Sequence, residues 1–151
     1  MTSFPLTELR TLQASIGAAN AAKGFHDEGD LLRFEVANPF LGKSTGADAM
    51  ARSDAANLRN YYANKLLLVV SEVVEAHDEL RKGRAVDETY YPTYCDGATG
   101  PFKPEGVESE IADVVIRCFD FADEAGLDLA AMIREKLLFN ASREKLHGKA
   151  F

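Results

Sequence analysis

The stretch LLLVVSEVVEAHDEL, Leu66 to Leu80, sets an unbroken apolar run against four acids, Glu72, Glu75, Asp78 and Glu79. Its length and spacing predict a helix that continues to Lys82 and stops at Gly83. A helix advances about 100° per residue. Glu72, Glu75 and Glu79 therefore share an arc of about 60°, with Asp78 further round and His77 nearly opposite Glu72. Leu66 to Val70 is apolar on every side, which predicts burial on most sides. Two readings stay open for the acids: a solvated face, or one wall of a metal site. Buried carboxylates without a cation neutralise or destabilise the fold, and a divalent metal removes that difficulty.

The segment VESEIADVVIRCFDF bears on the choice. Glu110 and Asp113 lie three residues apart on one helical face, while Val107, Ile111, Val114, Val115 and Cys118 form an apolar side. Two helices that each present an acidic pair at this spacing could face one another and cage a hard cation. Mg²⁺ fits such a site, because it takes oxygen ligands and keeps waters and substrate phosphates in its shell. Arg117, one turn beyond Asp113, either reaches a phosphate or pairs with a neighbouring acid. Near the end of the chain Lys136, Asn140 and Arg143 share another arc of about 60°. That stripe suits the terminal phosphates of a triphosphate. Equally, it is a basic helix end that complements its own dipole.

The rest of the chain frames these helices. A length of 151 residues with 46% hydrophobic and 27% charged content predicts one globular domain. No apolar run approaches the ~18 residues of a membrane span, so no membrane partner is expected. MTSFPLTELR lacks the pattern of a signal peptide, and a cytoplasmic location is the expectation. The net charge of −7 repels phosphate polymers and argues against a nucleic-acid partner. A small phosphorylated ligand remains compatible if a divalent cation bridges the two anions. Cys95 and Cys118 form neither a disulfide framework nor a metal-ligand pair, and Cys118 reads as a small core residue.

Leu6, Leu9, Leu12, Ile16 and Ala19 recur at helical spacing, with Ser3 as a cap and Gly24 as a stop. Residues 25–45 read as irregular. Ala47 to Arg59 is Ala-rich and helical, abutting or running into the helix from Tyr61. Residues 84–104 read as a Tyr-rich loop punctuated by Pro92, Pro101 and Pro104, and its length marks it as a functional candidate. Helices are expected over Glu105 to Ala125 and, capped by Asp128, onward to about Leu146, before the tail HGKAF. The expected fold class is all-α: one bundle of four to five helices over 1–151, without a confident strand.

At this point the residues resemble a known superfamily. EVVE (Glu72 to Glu75) followed by EIAD (Glu110 to Asp113) resembles the ExxE…ExxD signature of the MazG-like all-α NTP pyrophosphatases. KGFHDE, DELRKG and the ending KLLFNASREKLHGKAF resemble segments of the same superfamily, in the same order. The likeness covers roughly residues 20–35 and 60–151. It implies a MazG-like helical bundle assembled as a homodimer or homotetramer. It also implies Mg²⁺-dependent hydrolysis of nucleoside triphosphates to monophosphate and pyrophosphate, in nucleotide-pool house-cleaning, with Mn²⁺ as a substitute cation. By position, Glu72, Glu75, Glu110 and Asp113 match the metal-binding acids. Lys136 and Asn140 match residues near the phosphates, with Arg143 beside them. Phe25 and His26 fall in a segment that contributes to the base pocket; an aromatic there stacks on a base or is an ordinary core anchor. The link between Glu75 and Glu110 is longer than in most relatives. Its Tyr90, Tyr91 and Tyr94 either cover a substrate or pack on a neighbouring subunit.

The implied chemistry is attack of a metal-activated water on the α-phosphorus, with a metal-binding Glu or Glu79 taking the proton. Two other classes compete. A di-iron bundle would need a Glu-x-x-His pair on each of two helices, and only Glu144 and His147 have that spacing. A non-catalytic nucleotide-binding or interaction bundle is the other, and the intact set of four acids argues against it.

Overall fold

The structure, a computed structural model, describes residues 4–38, 47–92 and 102–143. They form five helices: α1 (Leu6–Ala21), α2 (Asp27–Ala37), α3 (Ala47–Arg81), α4 (Val107–Glu124) and α5 (Leu129–Ala141). Among the described residues the only β pairing is one isolated antiparallel bridge between Tyr90 and Glu105. The chain is thus all-α, as expected. No helix among these residues is long and apolar enough to cross a membrane.

Several boundaries differ from the sequence reading. The segment 25–45 is not irregular throughout, because Asp27–Ala37 is α2. Asp27, Glu28 and Asp30 in its first turn complement the positive end of the helix dipole. Gly29 and the shortness of the element hide that helix from a periodicity reading. Of the two readings of the Ala-rich segment, the structure takes the continuous one: it runs into the helix from Tyr61 as part of α3, one helix of 35 residues. Asp128 caps α5 as expected, its Oδ1 accepting from the Ala131 amide at 3.0 Å. Ser3, Tyr94, Cys95, Glu144, His147 and the tail beyond Arg143 lie outside the described residues.

The principal pair is α3 against α4. It runs antiparallel, since Glu72 and Glu75 of α3 stand beside Glu110 at the start of α4, while Tyr61 and Lys65 stand beside Glu124 and Asp120 at its end. Helix α1 crosses α4 and touches α5; Gln13 Nε2 donates to the Leu127 carbonyl at 2.8 Å and Arg10 pairs with Asp128. Helix α2 lies on α3, where Arg33 donates to the Tyr62 hydroxyl at 3.2 Å.

What this packing buries is unusual. Glu72, Glu79, Glu110, Asp120, Glu124, His26, Asp54 and Gln13 are all buried, against few apolar residues such as Phe119, Ala122 and Ala130. Conversely, Leu66, Leu67, Val70, Val73 and Val74 of α3 are about half exposed, as are Ile111 and Val115 of α4 and Leu137 to Phe139 of α5. The expectation that Leu66 to Val70 is covered on most sides does not hold within one chain. The face of α3 turned toward α4 carries polar groups, so its aliphatic residues point outward. Cys118 is half-buried, and burial raises its thiol pKa.

Candidate metal centre and substrate cavity

The inward stripe of α3 is Tyr61, Lys65, Leu68, Glu72 and Glu75, alternating four and three residues apart. The inward stripe of α4 is Glu110, Asp113, Arg117, Asp120 and Glu124, with the same alternation. Such spacing keeps side chains on one helical face. Between the stripes lies a cavity of about 580 Å³, which Asn20, Phe25, Glu28 and Lys103 also line. Its two ends differ in chemistry. Asp113 and Asp120 are seven residues apart, so about 10 Å of helix separates the ends.

The first end is acidic. Glu72, Glu75 and Glu110 can each turn one carboxylate oxygen to within 4.8 Å of the others, and Asp113 lines the same space. Glu110 is 1% exposed and its Oε2 has no hydrogen-bond partner. Burial is the main reason its pKa rises to about 7; Lys103 opposes the rise, while Glu75, Glu105 and Asp113 add to it. Glu72 is buried and paired with Arg117. Of the two readings of Arg117, the structure takes the ion pair. A buried, unpartnered carboxylate oxygen among three further acids is a donor set suited to a hard divalent cation.

The second end is polar but self-satisfied. His26 Nε2 lies 2.8 Å from Asp120 Oδ1, and Lys65 Nζ lies 3.3 Å from Asp120 Oδ2 and 2.9 Å from Glu124 Oε2. The Tyr61 hydroxyl donates to Glu124 Oε1 at 2.6 Å, and Lys65 also donates to the Phe25 carbonyl at 3.2 Å. Burial works against the Asp120 carboxylate, but bonds from Asn20 and His26 and the Lys65 charge outweigh it and hold its pKa below the ordinary range. Burial similarly opposes the Lys65 ammonium, yet the bond to Glu124 and the charges of Asp120 and Glu124 raise its pKa. Burial, aided by Glu124, pushes the Tyr61 hydroxyl up to about 12. His26, Asp120 and Glu124 also come close enough to share a metal. Glu124 Oε2 lacks a directed hydrogen bond, but the Lys65 ammonium already neutralises it at 2.9 Å. A cation is therefore already in place there, and we read this end as a fixed wall of the cavity.

Gly29 is part of that wall. A Cβ at this position would stand 2.1 Å from Glu124 Oε1 and 2.7 Å from the Tyr61 ring. Helix α2 can approach the Tyr61–Glu124 pair only because residue 29 has no side chain.

The other expected site residues are distributed as follows. Phe25 lines the second end and is 60% exposed, so it is not a core anchor. Glu79 is buried outside the cavity lining, bonded to Lys82 and, at 3.0 Å, to the Tyr90 hydroxyl. The Lys82 bond first, and then Tyr90, hold its pKa below the ordinary range. Lys136 and Asn140 are exposed on α5, which ends at Ala141 rather than near Leu146, so Arg143 lies beyond the helix and does not extend their stripe; none of the three lines this cavity. Tyr90 packs under Arg84 at 4.2 Å while Tyr91 is exposed. The sequence reading missed Asn20, Tyr61, Lys65, Lys103 and Asp120. Helical spacing from Glu72 back to Tyr61, and from Asp113 on to Asp120, was the available signal for three of them. Lys103 sits in a loop and had none.

No protein-family model, no curated protein and no solved structure matches the chain in the three comparisons.

Proposed function

We propose that this protein is a MazG-like pyrophosphohydrolase that hydrolyses nucleoside triphosphates to monophosphate and pyrophosphate with Mg²⁺, in nucleotide-pool house-cleaning. The observation that carries the reading is the convergence of Glu72, Glu75 and Glu110, whose carboxylates come within 4.8 Å of one another while Oε2 of buried Glu110 has no hydrogen-bond partner, beside the cavity. The motif resemblance supports it, since the same acids occupy the ExxE and ExxD positions. A divalent cation held by Glu72, Glu75, Glu110 and Asp113 would act as a Lewis acid, offset phosphate charge and lower the pKa of the attacking water.

The chain's own residues do the rest. Glu75, solvent-exposed at the mouth of the acidic end, takes the proton of the attacking water. Glu79 is the poorer base, because Lys82 and Tyr90 already occupy it. Phe25 and Tyr61 flank the base at the second end, with Asn20, Lys65 and Asp120 along the polar edge. The two helical turns from Asp113 to Asp120 leave room for the sugar.

Assembly completes this reading. Half-exposed aliphatic residues on α3, α4 and α5 offer apolar surface for a partner to cover. A second copy of the chain covers them in a homodimer or homotetramer. Lys136, Asn140 and Arg143 then serve a neighbouring copy's cavity.

The test is release of pyrophosphate from a panel of ribo- and deoxyribonucleoside triphosphates, with and without Mg²⁺. Wild type should release pyrophosphate only with Mg²⁺, and Glu72→Ala and Asp113→Ala should be inactive with unchanged helicity. Silence of the wild type across the panel, or full activity of either variant, refutes the reading. Light scattering should give a mass of at least two chains.

A further inference from the structure

Among the described residues three cations line the cavity: Lys65, Lys103 and Arg117. Two are committed. Lys65 lies 2.9 Å from Glu124, 3.3 Å from Asp120 and 3.2 Å from the Phe25 carbonyl, and Arg117 is paired with buried Glu72. Lys103 differs. Its Nζ stands 3.4 Å from Glu105 and 3.9 Å from Glu110 Oε1, and its side chain is 52% exposed. It is the loosely held cation of the cavity, at the acidic end.

Its backbone is nevertheless well anchored. The bridge between Tyr90 and Glu105 ties the segment to the far side of the loop, each backbone N–H donating to the other's carbonyl at 3.1 and 2.9 Å. Tyr90 is held in turn by Glu79 at 3.0 Å and by the Arg84 guanidinium over its ring. Gly106 adopts φ +117°, and a Cβ there would stand 2.2 Å from the Glu88 carbonyl oxygen. A fixed backbone with an exposed cationic tip is the arrangement that can change partner without refolding.

We infer that Lys103 is a phosphate-contacting residue that rests against Glu110 and Glu105 while the acidic end holds no metal, and turns to the departing pyrophosphate group once a divalent cation takes Glu110. The inference rests on the metal-centre reading above and adds to it a residue and a role. Charge explains the exchange. With the cation bound, Glu110 no longer needs Lys103, while pyrophosphate brings several negative charges into a cavity already lined by Glu28, Glu72, Glu75, Asp113 and Asp120. Of the three described lining cations Lys103 has the longest ion pairs, so it is the one placed to meet them, as a point charge with three donors. The loop between Glu75 and Glu110 thereby has a function: it delivers this ammonium to the site.

Calorimetric titration tests this in two stages, on wild type, Lys103→Met and Lys103→Arg. Mn²⁺ alone is titrated first, then pyrophosphate into the Mn²⁺-loaded proteins. Lys103→Met should bind Mn²⁺ alone at least as tightly as wild type, because a competing cation is gone. Its pyrophosphate affinity should fall by about tenfold to a hundredfold, the range for one charge-assisted hydrogen bond. Lys103→Arg should keep most of that affinity. The inference is overturned if Lys103→Met binds pyrophosphate within twofold of wild type. It is also overturned if Mn²⁺ affinity and thermal stability fall together with pyrophosphate affinity, the mark of a merely structural residue. A wild type that binds no Mn²⁺ overturns the metal-centre reading itself, and this inference with it.

Discussion

Glu110→Gln exposes the energetics of the acidic end most directly. The wild-type carboxyl is 1% exposed with an unpartnered Oε2, and burial raises its pKa from the ordinary 4.5 to about 7. For an acid whose pKa is raised by folding, the native state holds the proton more tightly than the unfolded chain. Its contribution is fully present below the unfolded value and is lost as pH rises through the folded one. Between those two values the metal-free protein should therefore lose about 3 kcal/mol, at about 1.4 kcal/mol per pH unit. Gln cannot ionise, and its amide can donate to the neighbouring carboxylates. The variant should match wild type near pH 4.5 and exceed it by about 3 kcal/mol at pH 8. At this chain length that is a rise of roughly 6–12 °C in Tm. Urea titrations at both pH values in EDTA, at one fixed protein concentration, measure the difference. Mg²⁺ should close the gap by stabilising wild type and not the variant. Parallel pH profiles for the two proteins, or a Gln variant less stable at pH 8, would refute the account of Glu110 as a cation ligand held in reserve.

Three further substitutions probe the surroundings. Gly29→Ala gains helix propensity, but its Cβ meets Glu124 and the Tyr61 ring, so it should cost about 1–3 kcal/mol in chemical denaturation. A neutral or stabilising effect would mean that α2 does not press on that pair. Tyr61→Phe removes the 2.6 Å hydrogen bond to Glu124 and should cost about 1.5–3 kcal/mol of stability by the same method. Glu79→Gln should leave triphosphate turnover within about twofold, because Gln still accepts from Tyr90. A loss of about a hundredfold or more would instead make Glu79 the general base.

The acidic site was legible in the sequence to an instructive degree. Glu72, Glu75, Glu110 and Asp113 could be named because carboxylates three residues apart must share a helical face, and because they interrupt apolar runs. Glu79 shares their face by the same arithmetic, yet the structure ties it to Lys82 and to Tyr90, a loop residue whose approach no helical period encodes. Helix α2 was missed because one short element containing glycine carries too little periodicity to stand out. The Leu66 to Val70 run was read as buried because hydropathy counts apolar residues and is silent on what covers them.

What the sequence by itself determined is local: an all-α chain, the presence of its long helices, and the acids that one helix can present together. Periodicity and capping are properties of neighbouring residues, so they survive without knowledge of the fold. Only the tertiary structure decided that α3 and α4 run antiparallel, which brings Glu110 to Glu72 and Asp120 to Lys65 rather than the reverse. It also decided that Arg117 is spent on Glu72, that Lys65 already fills the second cluster, and that Lys103 reaches the acids from a loop. Each of these is a distance between residues far apart in the chain. Such distances depend on how helices pack, and packing is not written in the spacing of any one of them.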